Sequence, residues 1–133
     1  GFFSVEPVSD IEYQTILDDL ARISESIDPS KTIMLFHSPP YQTLLDRAAL
    51  DGKMIDHVPL DLHVGSIAIK RFIEERQPLI TLHGHIHESS RLTGHWYEYI
   101  GNTLSVNGAW DGPELSLVCF DPNEPGTVSR RII

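Results

Sequence analysis

Among its 133 residues the chain has a single cysteine, and it has ten lysines and arginines against nineteen acidic residues. One cysteine builds no internal disulfide framework and fits a reducing, cytoplasmic setting. Cys119 lies in an apolar run, which predicts a buried, inert thiol. The shortage of basic residues leaves a net charge of −9 with neutral histidines. A general binder of phosphate backbones needs a basic face, so the charge argues against nonspecific nucleic-acid binding. An anionic substrate would need a positive group from outside the sequence, such as a metal ion. No apolar stretch approaches the roughly 18–20 residues that span a bilayer, so no membrane partner is expected. The opening Gly1-Phe2-Phe3 lacks an initiator Met, and no basic segment leads into a long apolar run. That is not a signal peptide; it reads as a fragment cut from a longer protein. Repeats, low-complexity tracts and linkers are also missing, so residues 1–133 read as a single domain.

Histidine is what the chain has in quantity: seven, unevenly placed. His83, His85 and His87 alternate within five residues, and His37 closes an apolar run.

The surrounding pattern places these histidines. Ser9-Asp10-Ile11-Glu12 has the form of a capping box. Behind it Tyr13, Ile16, Leu17, Leu20, Ile23 and Ile27 follow helical spacing, predicting a helix over about 10–27. Residues 32–36 form a short continuous apolar run, which suits a strand buried on both faces and ended by Pro39-Pro40. Thr43 to Leu50 fits two helical turns, and the stretch from there to Pro59 reads as loop. A second helix opens at Gly65 or Ser66 and closes before Pro78, and residues 79–82 give a second buried strand. Beyond it helical periodicity stops. Short β-rich runs at 94–100, 103–106, 114–120 and 127–132 predict an antiparallel meander.

The fold class is therefore α/β, a βαβ-like unit followed by a meander. In open α/β sheets sites gather at the carboxyl ends of the strands. His37 and the cluster at His83 to His87 both sit at such ends and meet if the two strands are parallel. Neutral imidazole is a common ligand for transition metals. Side chains two apart on an extended chain point the same way, so His85 and His87 can face one ion or two adjacent ions. His83 suits a hydrogen bond behind the ligands, or a packed position, better than ligation. His63, before a helix start at Gly65-Ser66, fits a phosphate site, because unpaired backbone N–H groups at a helix start attract anions. A plain cap by Ser66 with an exposed His63 reads equally well. Asp56, Asp61, Glu88 and Asp111 read as loop or rim carboxylates. Tyr41, Trp96, Tyr97, Tyr99 and Asn107 read as packing or structural residues.

Ile33-Met34-Leu35-Phe36-His37-Ser38-Pro39-Pro40, followed by Leu82-His83-Gly84-His85-Ile86-His87-Glu88, resembles the last two motifs of the calcineurin-like metallophosphoesterases. Gly101 to Gly108 is similar to the strand pair that follows there, and His63-Val64-Gly65-Ser66 to a stretch of small prokaryotic members. The family's earlier motifs, Asp-x-His, Gly-Asp-x-x-Asp and Gly-Asn-His, do not occur. The resemblance implies the carboxy-terminal half of a four-layer α/β/β/α sandwich, and so an incomplete domain. It implies two divalent ions (Mn, Fe, Zn or Ni), with His37 and His85 on one and His87 on the other. It also implies hydrolysis of phosphate mono- or diesters by a metal-activated water, with His63, Gly65 and Ser66 near the substrate. No matched residue carries a catalytic role, and the bridging aspartate is absent, so this fragment alone is expected to be inactive. The partner would be the missing amino-terminal half, or a second copy across the exposed sheet edge unless Gly1 to Val8 folds back over it. A non-enzymatic scaffold of the same fold and a single structural metal site are the alternatives.

Overall fold

The computed structural model describes residues 8–133, with side chains from residue 15 onward. The elements run α1 (Val8–Ser24), β1 (Ile33–Leu35), β2 (Met54–Ile55), β3 (Val58–Pro59), α2 (Ile67–Arg76), β4 (Ile80–His83), α3 (Ser89–Thr93), β5 (Tyr97–Ile100), β6 (Thr103–Asn107), β7 (Ser116–Asp121) and β8 (Glu124–Ile132). The fold class is α/β. A four-stranded sheet has the order β1-β4-β6-β5, in which β1, β4 and β6 are parallel and β5 is antiparallel to β6. The parallel register of Ile33 with Ile80 and Leu35 with Leu82 brings the ends of β1 and β4 to the same level.

Alternation along the strands divides the apolar side chains between two faces. On one face Met34 and Ile100 pack with Leu20 of α1 and with Ile69, Phe72 and Ile73 of α2. On the other, Ile80, Leu104 and Val106 pack with Val118, Phe120 and Val128 of the β7–β8 hairpin. The described residues therefore form three layers: helices, mixed sheet and a two-stranded sheet. Each of these buried aliphatic side chains contributes roughly 1.5–3 kcal/mol. The helix α2 starts where Ser66 accepts from the Ile69 N–H and ends on Gln77 in a left-handed conformation. No helix among the described residues is long and apolar enough to cross a membrane.

Several sequence expectations need correction. The β1 strand is not buried on both faces. It is a sheet edge: Ile33 is half-buried in the cluster on the hairpin side, Met34 is buried on the helix side, and Leu35 is 76% exposed. Cys119 is exposed, because β7 alternates: Val118 and Phe120 point into the core, Leu117 and Cys119 away from it. Residues 43–50 form turns and bends rather than helix. There the Thr43 hydroxyl donates to Pro40 O and the Asp46 carboxylate takes the Gln42 and Thr43 N–H groups. Such side-chain bonds compete with helical ones. Residues 51–59 hold a small hairpin, β2–β3, turned by Asp56 and His57, both at positive φ. The presumed meander is two separate hairpins, one completing the main sheet and one forming the second sheet. The α1 helix begins at Val8, so Ser9 lies inside its first turn; the capping-box side chains and most of Gly1 to Val8 lie outside the described residues.

Candidate functional site

The carboxyl end of the sheet collects the site. His37 follows β1 and His85 follows β4, and although 48 positions apart their rings meet, with Nε2 of His37 3.0 Å from Nδ1 of His85. The ring centroids are 4.5 Å apart. Both side chains are exposed. Two imidazole nitrogens on one ion at about 2.0–2.1 Å, subtending roughly 90–110°, lie about 2.9–3.4 Å apart. The observed separation is that of a hydrogen bond between the two rings, and it also fits two positions of one coordination shell.

The backbone around this pair is firmly braced. The Gly84 N–H donates to His37 O, and the Phe36 N–H to Leu82 O, continuing the parallel ladder past β1. The Ile86 N–H donates back to Gly84 O, closing a tight turn with His85 at its centre and at φ 68. A non-glycine residue held at positive φ is strained, and such strain gathers at functional sites. Asn107, fully buried at the end of β6, donates from Nδ2 to Ile86 O and to Leu45 O. It ties the turn to the loop after β1.

His83 is the buried member of the alternating set. A carbonyl only accepts, so Nδ1, 2.9 Å from Ser38 O, carries the proton. Nε2 then accepts from the Thr81 hydroxyl, which in turn accepts from Ser105. Burial lowers the His83 pKa to about 4, the bond to Ser38 only partly opposing it. Stacked on Phe36 and neutral, His83 fixes the backbone carbonyl next to His37. His87 is exposed and does not join the other two. Among the described residues no three histidine, cysteine or acidic side chains group as a metal cage. The side chains present fit part of one ion's shell and supply no carboxylate to it.

His63 belongs to a second arrangement. Its Nδ1 lies 2.7 Å from Oδ1 of Asp46, a fully buried carboxylate that also accepts the Gln42, Thr43 and Gly65 N–H groups. The carboxylate accepts, so His63 carries its proton on Nδ1 and turns Nε2 away from Asp46. Beside it Asp61 accepts from the His63 N–H and the Tyr41 hydroxyl. That shared bond raises the Tyr41 pKa and lowers that of Asp61. Gly65 and Ser66 are otherwise engaged. The Gly65 N–H goes to Asp46, the Ser66 N–H to Pro39 O, and the Ser66 hydroxyl caps α2. A Cβ on Gly65 would stand 2.6 Å from Pro39 O and 2.7 Å from Pro40 O. Glycine is thus required by the close approach of this segment to Pro39-Pro40. Of this trio, only His63 has a polar side-chain atom, Nε2, without a hydrogen-bond partner among the described residues.

The other carboxylates have rim roles: Glu88 accepts from the Ala49 N–H, Asp111 pairs with Arg91, and Asp56 sits exposed in the β2–β3 turn. No local pattern in the sequence marks Asp46 as a buried carboxylate. Its partners come from two stretches of chain, 42–43 and 63–65, the second of them distant in sequence.

No protein-family model matches the chain. It is 38% identical over 76 residues to an uncharacterized protein of Methanocaldococcus jannaschii, a match covering 56% of this chain and 29% of that protein. A solved crystal structure superposes with a TM-score of 0.59 at 18% identity, over 90% of this chain and 39% of the other. That likeness shows a shared fold. The chain thus matches well under half the length of either protein.

Proposed function

We propose that this chain is the carboxy-terminal part of a dinuclear metal-dependent phosphoesterase acting on phosphate mono- or diesters, with the four-layer sandwich completed by an amino-terminal half. The observation that carries the reading is the meeting of His37 and His85 at the carboxyl ends of two parallel strands, at a nitrogen separation suited to one ion. His37 and His85 would hold that ion, and His87 would contribute to the second, whose remaining ligands lie outside this chain. When bound, the two ions would bind the ester phosphate and activate a water for attack. His63, oriented by Asp46, would donate or accept a hydrogen bond at a phosphate oxygen. The unpaired outer edge of β1, with exposed Leu35, is where the amino-terminal half or a second copy would add strands.

The experiment is hydrolysis of a generic aryl phosphodiester with Mn²⁺ by the polypeptide that carries this segment in full, beside its His37→Ala and His85→Ala variants. Turnover lost by at least about a hundredfold in both variants supports the reading. Turnover that is absent, or indifferent to both, overturns it. The second reading, a non-catalytic scaffold of the same fold, is favoured by one observation: no carboxylate joins the histidine pair among the described residues.

A further inference from the structure

We propose that His63 gives a proton to the leaving oxygen of the ester, and that the substrates are unactivated alkyl phosphate esters. The inference rests on the phosphoesterase reading and deepens it, by naming the oxygen that His63 serves and the kind of alcohol that leaves.

The Asp46 carboxylate is filled. Its Oδ1 takes the Thr43 N–H and the His63 ring, and its Oδ2 takes the Gln42 and Gly65 N–H groups. Three of the four donors are backbone, so the carboxylate is fixed independently of the imidazole. The Asp46 side chain is wholly buried, while that of His63 is 33% exposed. Asp46 serves the fold; Nε2 of His63 is the atom of this network that faces away from it. A histidine held in this way exchanges a proton at Nε2 without breaking its bond to the carboxylate. The neighbouring groups do not engage that nitrogen. Tyr41 stands edge-on to the ring, with centroids 6.3 Å apart, and gives its hydroxyl to Asp61, which also accepts the His63 N–H. Arg47, whose backbone bridges to that of His63, spends its guanidinium on Asp51 and Ala48 O. Lys70 lies against Glu74 and Tyr41 O.

This pair and the His37–His85 pair border one loop. On one side of the loop, His83 donates to Ser38 O and the Glu88 carboxylate takes the Ala49 N–H. On its other side, Gly65 and Ser66 close on Pro39 and Pro40. The Asn107 amide nitrogen lies 3.4 Å from Leu45 O and 3.1 Å from Ile86 O. Leu45 precedes Asp46 and Ile86 follows His85, so one amide ties the backbones of both assemblies. An ester with its phosphate at the His37–His85 end would turn its leaving oxygen toward His63. Breaking the P–O bond of an alkyl ester yields an alkoxide, a far stronger base than a nitrophenolate, unless a proton arrives with the electron pair. The proton on Nε2 passes to that oxygen as its bond to phosphorus breaks. A water oxygen bonds to phosphorus, that water's proton goes to solvent, and solvent returns one to His63. A nitrophenolate leaves without such help.

The test uses the polypeptide that carries this segment in full, with Mn²⁺. The substrates are ethyl phosphate and para-nitrophenyl phosphate, and the diesters diethyl phosphate and ethyl para-nitrophenyl phosphate. His63→Ala should lower kcat at least about a hundredfold for the alkyl ester and less than about fivefold for the aryl ester. His63→Gln, which forms hydrogen bonds but transfers no proton, should behave as His63→Ala does, and it carries the comparison should the alanine variant fail to fold. A second readout needs neither metal nor turnover. In chelator, nitrogen NMR of the neutral His63 ring should find its proton on Nδ1, the minority form of free histidine. The proposal alone is overturned by a parent that turns over aryl esters only, by equal losses on alkyl and aryl esters, by no loss on either, by rescue with glutamine, or by a neutral ring protonated at Nε2. No turnover of any of the four esters, or turnover indifferent to His37→Ala, overturns the phosphoesterase reading and the proposal with it.

Discussion

Two histidines at the same end of the molecule are held in opposite ways. His63 is clamped: its ring donates to a fully buried carboxylate that also gathers three backbone N–H groups from two further turns of chain. His85 is exposed, sits on a strained backbone turn, and meets only the ring of His37. The first arrangement stabilises the fold whether or not anything binds. The second is a single exposed hydrogen bond between two rings, on a backbone turn at positive φ, and adds little to the fold by itself. Buried polar networks report on structure, and exposed, strained donor pairs report on chemistry.

The sharpest way to break this contrast is Asp46→Ala. It leaves three N–H groups and the His63 ring without their acceptor inside the fold. Removing one member of such a buried set costs about 3–5 kcal/mol. Urea denaturation should show that loss, and Asp46→Asn, which keeps one carbonyl oxygen, should lose less. A change below about 1 kcal/mol for Asp46→Ala would mean the network does not hold the loop after β1.

Acid should act through His83. Its folded pKa of about 4 lies below the ordinary histidine value of 6.5 because the neutral ring is buried. Between those values the unfolded chain binds a proton that the folded chain refuses, so stability falls as pH drops from about 6.5 to about 4. The size is roughly 3 kcal/mol. Melting in chelator across that range should show the loss, and His83→Gln should flatten that part of the profile. A profile identical in parent and variant would sink the assignment.

The strands at Ile33–Leu35 and Ile80–His83 and the helix Ile67–Arg76 were legible because short apolar runs and a three-to-four spacing are local signals. Their parallel pairing followed from the helix between them, and with it the meeting of His37 and His85. The failures share a cause in tertiary context. Leu35 reads as core, yet β1 is the edge strand of its sheet and Leu35 is exposed there. Cys119 reads as part of an apolar run, yet the hairpin that carries it has one wet face. Residues 43–50 carry a helical pattern, yet Thr43 and Asp46 spend their polar atoms on neighbouring backbone.

Gly65→Ala probes the clamp from its other side. The added methyl would meet two backbone carbonyl oxygens that cannot rotate aside. Pro39-Pro40 would have to move, stretching the Gly65 bond to Asp46 and the Ser66 bond to Pro39. Overpacking of this kind costs about 1–3 kcal/mol. Thermal unfolding of the variant checks it, and a parent-like midpoint would show that the segment shifts freely.

The smallest effect on stability belongs to the exposed pair, and its sign is the informative part. His37→Ala should change stability by no more than about 0.5 kcal/mol, since neither ring is part of a core. His85→Gly should go further and stabilise the chain by up to about 1 kcal/mol. Glycine adopts the φ of 68 without the penalty a side chain incurs. His85→Ala, which keeps the Cβ, should not show that gain, so the pair of variants separates backbone strain from lost ring contacts. Both variants should bind Co²⁺ at least about tenfold more weakly than the parent chain, measured by visible absorption. A His85→Gly variant that is less stable than the parent would show that the turn is held by its side chain, and the reading of stored strain would be wrong. A gain in stability with the loss of metal would mean that this corner of the fold is shaped for a ligand at the expense of its own stability.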